Sequence, residues 1–416
     1  MAQVSRRHVL FIPGFDPAPA RAHRERYRRE GAAQAAISGY RLTVTAVPGA
    51  PNRWETELEC GGVSAAARIE VLVWSDLVRS AMAPDPWSSY ARLIGTAWAY
   101  IGSGALFRLM RLRKGPVIAA LYPVAGLIAQ GFLALCAGVA VGYLVLAGFH
   151  SSLAWIGVPE ASAGTLAFGT VLALCAALAT IVLVLRAFRR WDGRVLVHYL
   201  MQDYAFAAAE GGAYPAALNA RLSHFAARIA QAADDDVDEV LIVGHSSGAY
   251  LAVSALAEAL ADGLPAGAKR IGLLTLGHVV PMVSFLPRAH RLRADLAALS
   301  LSEDITWVDV SAPGDGCAFA LCDPVWVTGV APPGKRWPLV LSAAFRQTLS
   351  PETWAALRWR FFRLHFQYMC AFDRPGDYDY FAITSGTVTL ADRFSGRGPS
   401  ASRIETPVNR HRSIGR

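Results

Sequence analysis

Charged residues are scarce in this chain and are missing altogether from one long stretch. Only 17% of the 416 residues are Asp, Glu, Lys or Arg, whereas 54% are hydrophobic, and the mean hydropathy is +0.31. None of the four charged residue types occurs from Gly115 to Pro159, and after Glu160 none occurs until Arg186. Disordered chains and ordinary soluble chains do not have this composition. The sequence therefore predicts a membrane protein with a sizeable soluble part.

Cysteine is also scarce, with six residues in the chain. No CxxC pair or Cys/His spacing indicates a zinc site, so we expect no metal and no cofactor. So few cysteines in so long a chain do not suggest a disulfide framework, which favours a reducing compartment. The formal net charge of +8 beside apolar segments favours membrane lipids with anionic headgroups as partners. No aromatic and basic motif indicates nucleic-acid binding.

Two apolar stretches, residues 116–149 and 166–185, predict two transmembrane helices. The first exceeds the roughly 20 residues needed to cross hydrocarbon, and the second is close to one membrane thickness. Basic residues flank the pair on both outer sides and are absent from the connecting loop, so the positive-inside rule places both soluble flanks in the cytoplasm, at the inner membrane if the protein is bacterial. The alternative is a buried helical hairpin in a large soluble protein. The flanking basic residues are Arg108, Arg111, Arg113, Lys114, Arg186, Arg189, Arg190 and Arg194.

The stretches divide the chain into four predicted parts. Residues 1–114 form the first part of a soluble domain, residues 115–187 a transmembrane hairpin, and residues 188–394 the second part of the domain. Residues 395–416 are basic and rich in turn formers, so we expect a disordered tail. Residues 93–110 are apolar and aromatic, which is typical of an interfacial helix.

Strand and helix patterns alternate in both soluble flanks. Helical spacing of apolar residues predicts helices over 20–38 and 215–233. Continuous apolar strands interleaved with helices predict an α/β fold, with a mostly parallel sheet covered by helices on both faces. Strands are predicted near His8, Tyr40, Ala67, Val240, Arg270, Ile305 and Asp379.

A G-x-S-x-G motif, formed by Gly244, His245, Ser246, Ser247 and Gly248, lies directly between a predicted strand and a predicted helix. A nucleophile elbow has this setting, because its glycines permit close backbone approach and its serine projects above the sheet. The following helix N-terminus favours developing negative charge. Ser246 is the predicted nucleophile, and an ordinary strand–helix turn is the alternative. His245 is interpreted as a residue that packs in the core or supports the catalytic side chains without reacting itself.

A serine nucleophile needs an imidazole to take its proton and a carboxylate to orient that imidazole. In chains with such an elbow the order is serine, acid, histidine. Asp315, in the turn after the strand at Ile305, is the preferred acid. Asp309 and Asp323 are alternatives, and turn capping is the competing role of all three.

The preferred base is His365, in the segment RFFRLHFQYM. A core histidine on an amphipathic helix is the alternative reading of this residue. His411 belongs to the basic tail, and His278 precedes the acid and would require an unusual order.

The oxyanion that forms during acyl transfer needs two backbone N–H donors. One is expected from Ser247, and the other from the loop after the early strand, at Phe15 or its neighbour Asp16. Gly14 permits the bend in that loop, although a Pro-Gly pair is also an ordinary turn.

The early strand HVLFIPGF, the elbow VLIVGHSSGA and the segment WVDVSAPGD resemble landmarks of the α/β-hydrolase superfamily, on its lipase and esterase side. The resemblance covers the soluble parts from His8 to about Gly386. It implies an α/β-hydrolase-like fold with an inserted transmembrane hairpin. Membrane-bound lipases and inositol-deacylase-like enzymes are similar in overall plan. The context of His365 departs from the family pattern, because the usual short strand and loop are missing.

These observations predict an integral membrane serine hydrolase that cleaves acyl esters, of lipids or lipid-like compounds, through an acyl-enzyme. Its triad would be Ser246, Asp315 and His365. A thioesterase or acyltransferase could use the same triad, and a non-catalytic membrane scaffold could retain the fold.

Overall fold

The computed structural model describes residues 3–82, 85–157, 162–264 and 270–415. The chain has an α/β fold with an eight-stranded mixed sheet and two long apolar helices. It divides into two compact units, and the second contains more than the predicted hairpin. The first unit comprises Met1–Ala81, Ala97–Ala119 and Ala207–Arg416, and the second comprises Met82–Thr96 and Ala120–Phe206.

One sheet contains all eight strands, in the order β2-β3-β4-β1-β5-β6-β7-β8. The strands β1 and β4 to β8 are parallel, whereas β3 runs antiparallel to both β2 and β4. Every residue of β5 is buried, as expected for a central strand covered on both faces. The strands are β1 (Arg6–Ile12), β2 (Arg41–Ala46), β3 (Arg53–Cys60), β4 (Val63–Val71), β5 (Glu239–His245), β6 (Arg270–Leu276), β7 (Ile305–Ser311) and β8 (Leu339–Ser342).

The helices connect and cover these strands, and a π-helical segment (Trp98–Gly102) directly follows the third of them. In chain order they are α1 (Ala20–Ser38), α2 (Ser75–Ala81), α3 (Pro86–Ala97), α4 (Ala105–Leu112), α5 (Lys114–Trp155), α6 (Ala163–Arg190), α7 (Asp192–Val195), α8 (Val197–Ala208), α9 (Ala216–Asp234), α10 (Ser247–Ala261), α11 (Val280–Ser284), α12 (His290–Leu301), α13 (Pro324–Thr328), α14 (Phe345–Thr348), α15 (Pro351–Leu357), α16 (Phe361–His365), α17 (Tyr380–Ser385) and α18 (Leu390–Arg393).

The prediction of a strand near Asp379 is wrong, because the segment forms α17. The Asp379 carboxylate accepts hydrogen bonds from the N–H groups of Phe381 and Ala382 at 3.0 Å each, which caps the helix N-terminus. This local bond favours a helical turn over the extended conformation that the aromatic and β-branched residues suggest.

The tail is ordered over residues 395–415, contrary to the expected disorder. Its backbone at Ile404 accepts a hydrogen bond from Asp323 at 2.9 Å and donates one to Leu321 at 2.7 Å. Asn409 is buried, and its side chain donates to the carbonyl oxygen of Ser284 at 3.1 Å. Backbone pairing and one buried amide therefore hold a segment that has no apolar periodicity.

The helices α5 and α6 are long and apolar enough to cross a membrane, and each contains an 18-residue window of high mean hydropathy, 2.3 in α5 and 2.6 in α6. They contain the two predicted apolar stretches and pack closely against each other. A Cβ atom at Gly142 would lie 3.2 Å from the carbonyl oxygen of Ala173, and one at Gly138 would lie 2.9 Å from that of Ala177. Small residues thus allow close contact between the two antiparallel helices.

Candidate active site

Residues of the candidate site follow four neighbouring parallel strands, β1, β5, β6 and β7, at their carboxyl ends. Gly14 follows β1, Ser246 follows β5, Gly277 follows β6 and Asp315 follows β7. In open α/β sheets, ligands bind beyond the carboxyl ends of the strands. The binding point lies between two adjacent strands whose chain connections lead to opposite sides of the sheet. Here β1 leads to β2–β4 on one side, and β5 leads to β6–β8 on the other.

Ser246 occupies a strained turn between β5 and α10. Its backbone has φ 57° and ψ −121°, a conformation that residues other than glycine rarely adopt. Its N–H donates a hydrogen bond to the carbonyl oxygen of Leu276, at the end of β6, over 2.9 Å. The surrounding sheet therefore holds Ser246 in the geometry of a nucleophile elbow.

The glycines on either side of Ser246 are required by close backbone contact. A Cβ atom at Gly248 would lie 2.1 Å from the carbonyl oxygen of Ile12, in β1. A Cβ atom at Gly244 would lie 2.5 Å from the carbonyl oxygen of Gly248. No side chain fits at either position unless the backbone moves.

His365 and Asp315 form a buried pair, although 50 residues separate them. His365 Nδ1 lies 2.7 Å from Asp315 Oδ2, and Tyr368 donates its hydroxyl hydrogen to the same oxygen at 3.0 Å. The N–H of Cys317 donates to Asp315 Oδ1 at 2.8 Å. Burial, and then the neighbouring Asp315, hold the pKa of Tyr368 well above its ordinary value, so this residue stays a donor. The arrangement orients the imidazole as a triad requires.

Gly277 allows the imidazole of His365 to lie close to the end of β6, which is hydrogen-bonded to Ser246. Its φ is 51°, and a Cβ atom there would lie 3.3 Å from His365 Cε1 and 2.5 Å from Tyr368 Cε2. Gly277 directly follows Leu276, whose carbonyl oxygen binds the Ser246 N–H. In this structure no hydrogen bond joins Ser246 Oγ to His365 Nε2 in the described chain, and such bonds often tighten only when substrate binds.

His245 supports the backbone of His365. Its Nε2–H donates to the carbonyl oxygen of His365 at 2.9 Å, and the two rings lie 4.7 Å apart between centroids. Burial, and then the charge of His365, hold the pKa of His245 well below its ordinary value, so the ring stays neutral. The sequence indicated a packing or supporting residue, and the contact with His365 depends on tertiary structure.

The loop after β1 lies against Ser246. A Cβ atom at Gly14 would lie 3.0 Å from Ser246 Cβ and 3.5 Å from Ser246 Oγ. Trp74 fixes the loop, since its Nε1–H donates to the carbonyl oxygen of Pro13 at 2.9 Å and its ring contacts Phe15 edge to face. The backbone of Phe15 is thus one residue beyond the point of contact with Ser246.

The other residues considered as oxyanion donors have distinct surroundings. Ser247 is the first residue of α10, where N–H groups have no acceptor within the helix. The Asp16 carboxylate accepts a hydrogen bond from the N–H of Ala18 at 2.8 Å, so its side chain stabilises a local turn.

The alternative acid Asp309 and the alternative base His278 are fully buried, and each makes hydrogen bonds to other groups. Asp309 Oδ1 accepts from the Thr275 hydroxyl at 2.6 Å, and burial raises the pKa of Asp309. His278 Nε2 donates to the carbonyl oxygen of Cys322 at 2.9 Å, and its Nδ1 accepts from the N–H of Val280 at 3.3 Å. Because backbone groups occupy both ring nitrogens, His278 has no nitrogen left to act as a base.

The remaining alternatives also have structural roles. Asp323 caps α13 and pairs with Lys335 at 2.7 Å, and burial raises the pKa of this carboxyl group. His411 donates its backbone N–H to the Asn409 side chain within the tail.

A metal ion has candidate ligands at the same place, because ligand atoms of Asp315, Cys317 and His365 all lie within 4.8 Å of one another. Both oxygens of Asp315 already accept hydrogen bonds, and one of them binds His365. An ion would have to break the contact that orients the imidazole. The donor set therefore fits the histidine–carboxylate pair better than a metal site.

Comparison of the chain with protein-family models, with curated proteins and with solved structures finds no match among any of the three. The site itself therefore carries the argument about function.

Proposed function

We propose that the protein is an integral membrane serine hydrolase that cleaves acyl esters of lipids or lipid-like compounds. The observation that carries this proposal is the strained turn at Ser246, whose neighbour His245 contacts the buried His365–Asp315 pair. The resemblance of the early strand, the elbow and the later turn to the α/β-hydrolase superfamily supports it.

In the first half of the reaction, Ser246 Oγ attacks the carbonyl carbon of the ester, and His365 Nε2 takes the hydroxyl proton. The carbonyl oxygen becomes an oxyanion, which the N–H groups of Ser247 and Phe15 stabilise. Asp315 stabilises the imidazolium that forms. The bond to the alcohol then breaks, His365 returns its proton to the departing oxygen, and an acyl-serine remains.

In the second half, His365 takes a proton from water, and the resulting nucleophile attacks the acyl-serine. The bond between Ser246 Oγ and the acyl carbon breaks, and His365 protonates Ser246. The products are a carboxylic acid and the free enzyme. An acyltransferase would differ only at this step, because an alcohol or a thiol would replace water.

The membrane part of the proposal follows from α5 and α6. Two spans would keep the site near acyl lipids, and the basic residues that flank the spans favour a cytoplasmic position of the first unit. Lipid esters are the substrates that such an anchor makes abundant.

A fluorophosphonate probe that phosphonylates nucleophilic serines tests the catalytic role of Ser246. The wild-type protein should be labelled, Ser246→Ala should not be, and Ser246→Ala should lower ester hydrolysis by roughly 10³-fold or more. Ser247→Ala is the matched control, because it removes a neighbouring hydroxyl and keeps the backbone N–H. Labelling of Ser246→Ala at the wild-type level would contradict the proposal. A folded wild-type protein that is neither labelled nor active would be a scaffold.

A further inference from the structure

The helix α3 carries an apolar stripe on its outer face. Trp87 and Ile94 are 55% and 72% exposed, and Ala91 and Gly95 are exposed between and beside them. The spacing of the four residues puts them on one side of the helix. Large apolar side chains aligned in this way mark a surface that contacts lipid or another protein.

The opposite face of α3 is held firmly within the second unit. Ser89 is fully buried and hydrogen-bonds to His198 Nδ1 and Gln202 Nε2, at 3.0 Å each. The Tyr90 hydroxyl donates to the carbonyl oxygen of Leu127, in α5, at 2.9 Å. These contacts to α8 and α5 keep the stripe turned outward.

The contacts between α5 and α6 show which residues lie at the same level. Gly142 of α5 contacts Ala173 of α6. Gly138 lies one turn earlier in α5 and contacts Ala177 and Ile181, which lie one to two turns later in α6. Continuing this antiparallel register by two turns brings Gly131 level with Arg186. The α3 helix crosses α5 here, since the Tyr90 hydroxyl oxygen lies 3.3 Å from the Cβ position of Gly131.

The residues at the end of α6 and just after it have the composition of a membrane–water interface. Arg186 ends the uncharged stretch, and Arg190, Trp191 and Arg194 follow it with exposed side chains. Within the described chain, ion pairs join none of these three arginines to an acid; Arg189 is the one that pairs with Asp192. Tryptophan and arginine concentrate at the headgroup level of membrane proteins.

We propose that the outer face of α3 and the arginines at and just after the end of α6 form one surface that binds anionic phospholipids of the cytoplasmic leaflet. We call this surface the collar: Trp87, Ala91, Ile94, Arg190 and Arg194. The apolar stripe lies against acyl chains just below the headgroups, and the arginines bind lipid phosphates. The proposal rests on the membrane part of the proposed function and is independent of catalysis.

Photocrosslinking identifies what covers the stripe. Ile94 is replaced by the photoreactive residue p-benzoylphenylalanine, and the purified protein is irradiated in bilayers of phosphatidylcholine and phosphatidylglycerol. Mass spectrometry should find a phospholipid adduct at position 94. The same replacement at Ile37, which is 45% exposed on α1 in the first unit, is the control and should give no adduct. A crosslinked dimer, or the absence of any lipid adduct at position 94, would overturn the proposal.

A charge variant tests the preference for anionic lipid. Arg190→Gln with Arg194→Gln should lower the ratio of phosphatidylglycerol to phosphatidylcholine adducts by about fivefold or more. Arg288→Gln with Arg410→Gln makes the same change in net charge at exposed positions of the first unit and should leave the ratio unchanged. Equal ratios in both double variants and the wild type would contradict the anionic preference. If the wild-type protein forms the lipid adduct at position 94 but the fluorophosphonate probe does not label Ser246, the hydrolase proposal is rejected and the lipid-binding surface is retained.

Discussion

At the scale of single residues, hydrogen bonds distinguish two buried pairs of acid and histidine. His278 Nε2 lies 3.7 Å from Asp309 Oδ2, but backbone groups use both nitrogens of that ring. His365 uses Nδ1 for Asp315, and its Cε1 lies 3.3 Å from the Cβ position of Gly277, next to the residue that binds the Ser246 N–H. The sequence indicated Asp315 because it lies just past the end of β7, and His365 because His411 is the only other histidine after Asp315.

Two contacts of this site were not predictable from the sequence. Tyr368 binds the Asp315 carboxylate, and His245, for which the sequence allowed a supporting role, binds the His365 carbonyl. Each contact joins segments far apart in the chain, and a tyrosine or a histidine inside an apolar segment is ordinarily a core residue. Only the folded structure brings these partners together.

The proposed triad predicts how individual variants behave. His365→Ala and Asp315→Asn should each lower kcat by roughly 10³-fold or more, because the base is lost or its ring is no longer oriented. Combining either with Ser246→Ala should cost little more than Ser246→Ala alone, since the three residues act as a unit. Steady-state hydrolysis of a p-nitrophenyl ester by the folded fraction measures both effects.

His278→Ala is the matched control for these variants, since it removes a buried imidazole outside the proposed triad. Its folded fraction should retain the wild-type kcat, although loss of two buried hydrogen bonds lowers its stability. Wild-type turnover in His365→Ala together with a large loss in His278→Ala would show that the triad is assigned incorrectly.

At the scale of elements, the strands that the sequence predicts best are those buried on both faces, such as β5. The prediction omitted β3, where Trp54, Thr56 and Leu58 point inward between exposed polar residues. An alternating strand of this kind is typical of antiparallel pairing with one solvated face. Because β3 pairs antiparallel with β2 and β4, the sheet is mixed. The four-residue β8 was also missed, because a strand this short has too few residues to show a periodicity.

The turn at Ser246 depends on close contact between α10 and β1. Adding one methyl group at Gly248 tests this contact. Gly248→Ala would place a Cβ atom 2.1 Å from the carbonyl oxygen of Ile12, so α10 would have to move away from β1. We expect a loss of about 3 kcal/mol or more in the free energy of unfolding, together with loss of probe labelling at Ser246. Gly398→Ala is the control, since nothing lies within 4 Å of its Cβ position. Urea unfolding of the detergent-solubilised variants measures the difference, and equal stability of the two would contradict the close contact.

At the scale of the whole molecule, the sheet constrains the path of the chain. The strands β1–β4 precede α5 and α6, and β5–β8 follow them, yet all eight belong to one sheet. Both flanks must therefore lie in one compartment, which requires an even number of membrane crossings. The two apolar helices satisfy this requirement. Hydropathy alone predicted both helices, because a run of about 20 uncharged residues is a strong signal.

The basic flanks predict which side of the membrane that compartment occupies. In a background with Cys60, Cys136 and Cys175 replaced by alanine, Ser152→Cys near the end of α5 should react with an impermeant maleimide in intact cells. Ser395→Cys, exposed in the first unit, should react only after lysis, because the positive-inside rule keeps arginine-rich flanks in the cytoplasm. Labelling of Ser395→Cys in intact cells would reverse the orientation. Extraction of the whole protein by alkaline carbonate would contradict membrane insertion itself, since peripheral proteins are released by this treatment and spanning helices are retained.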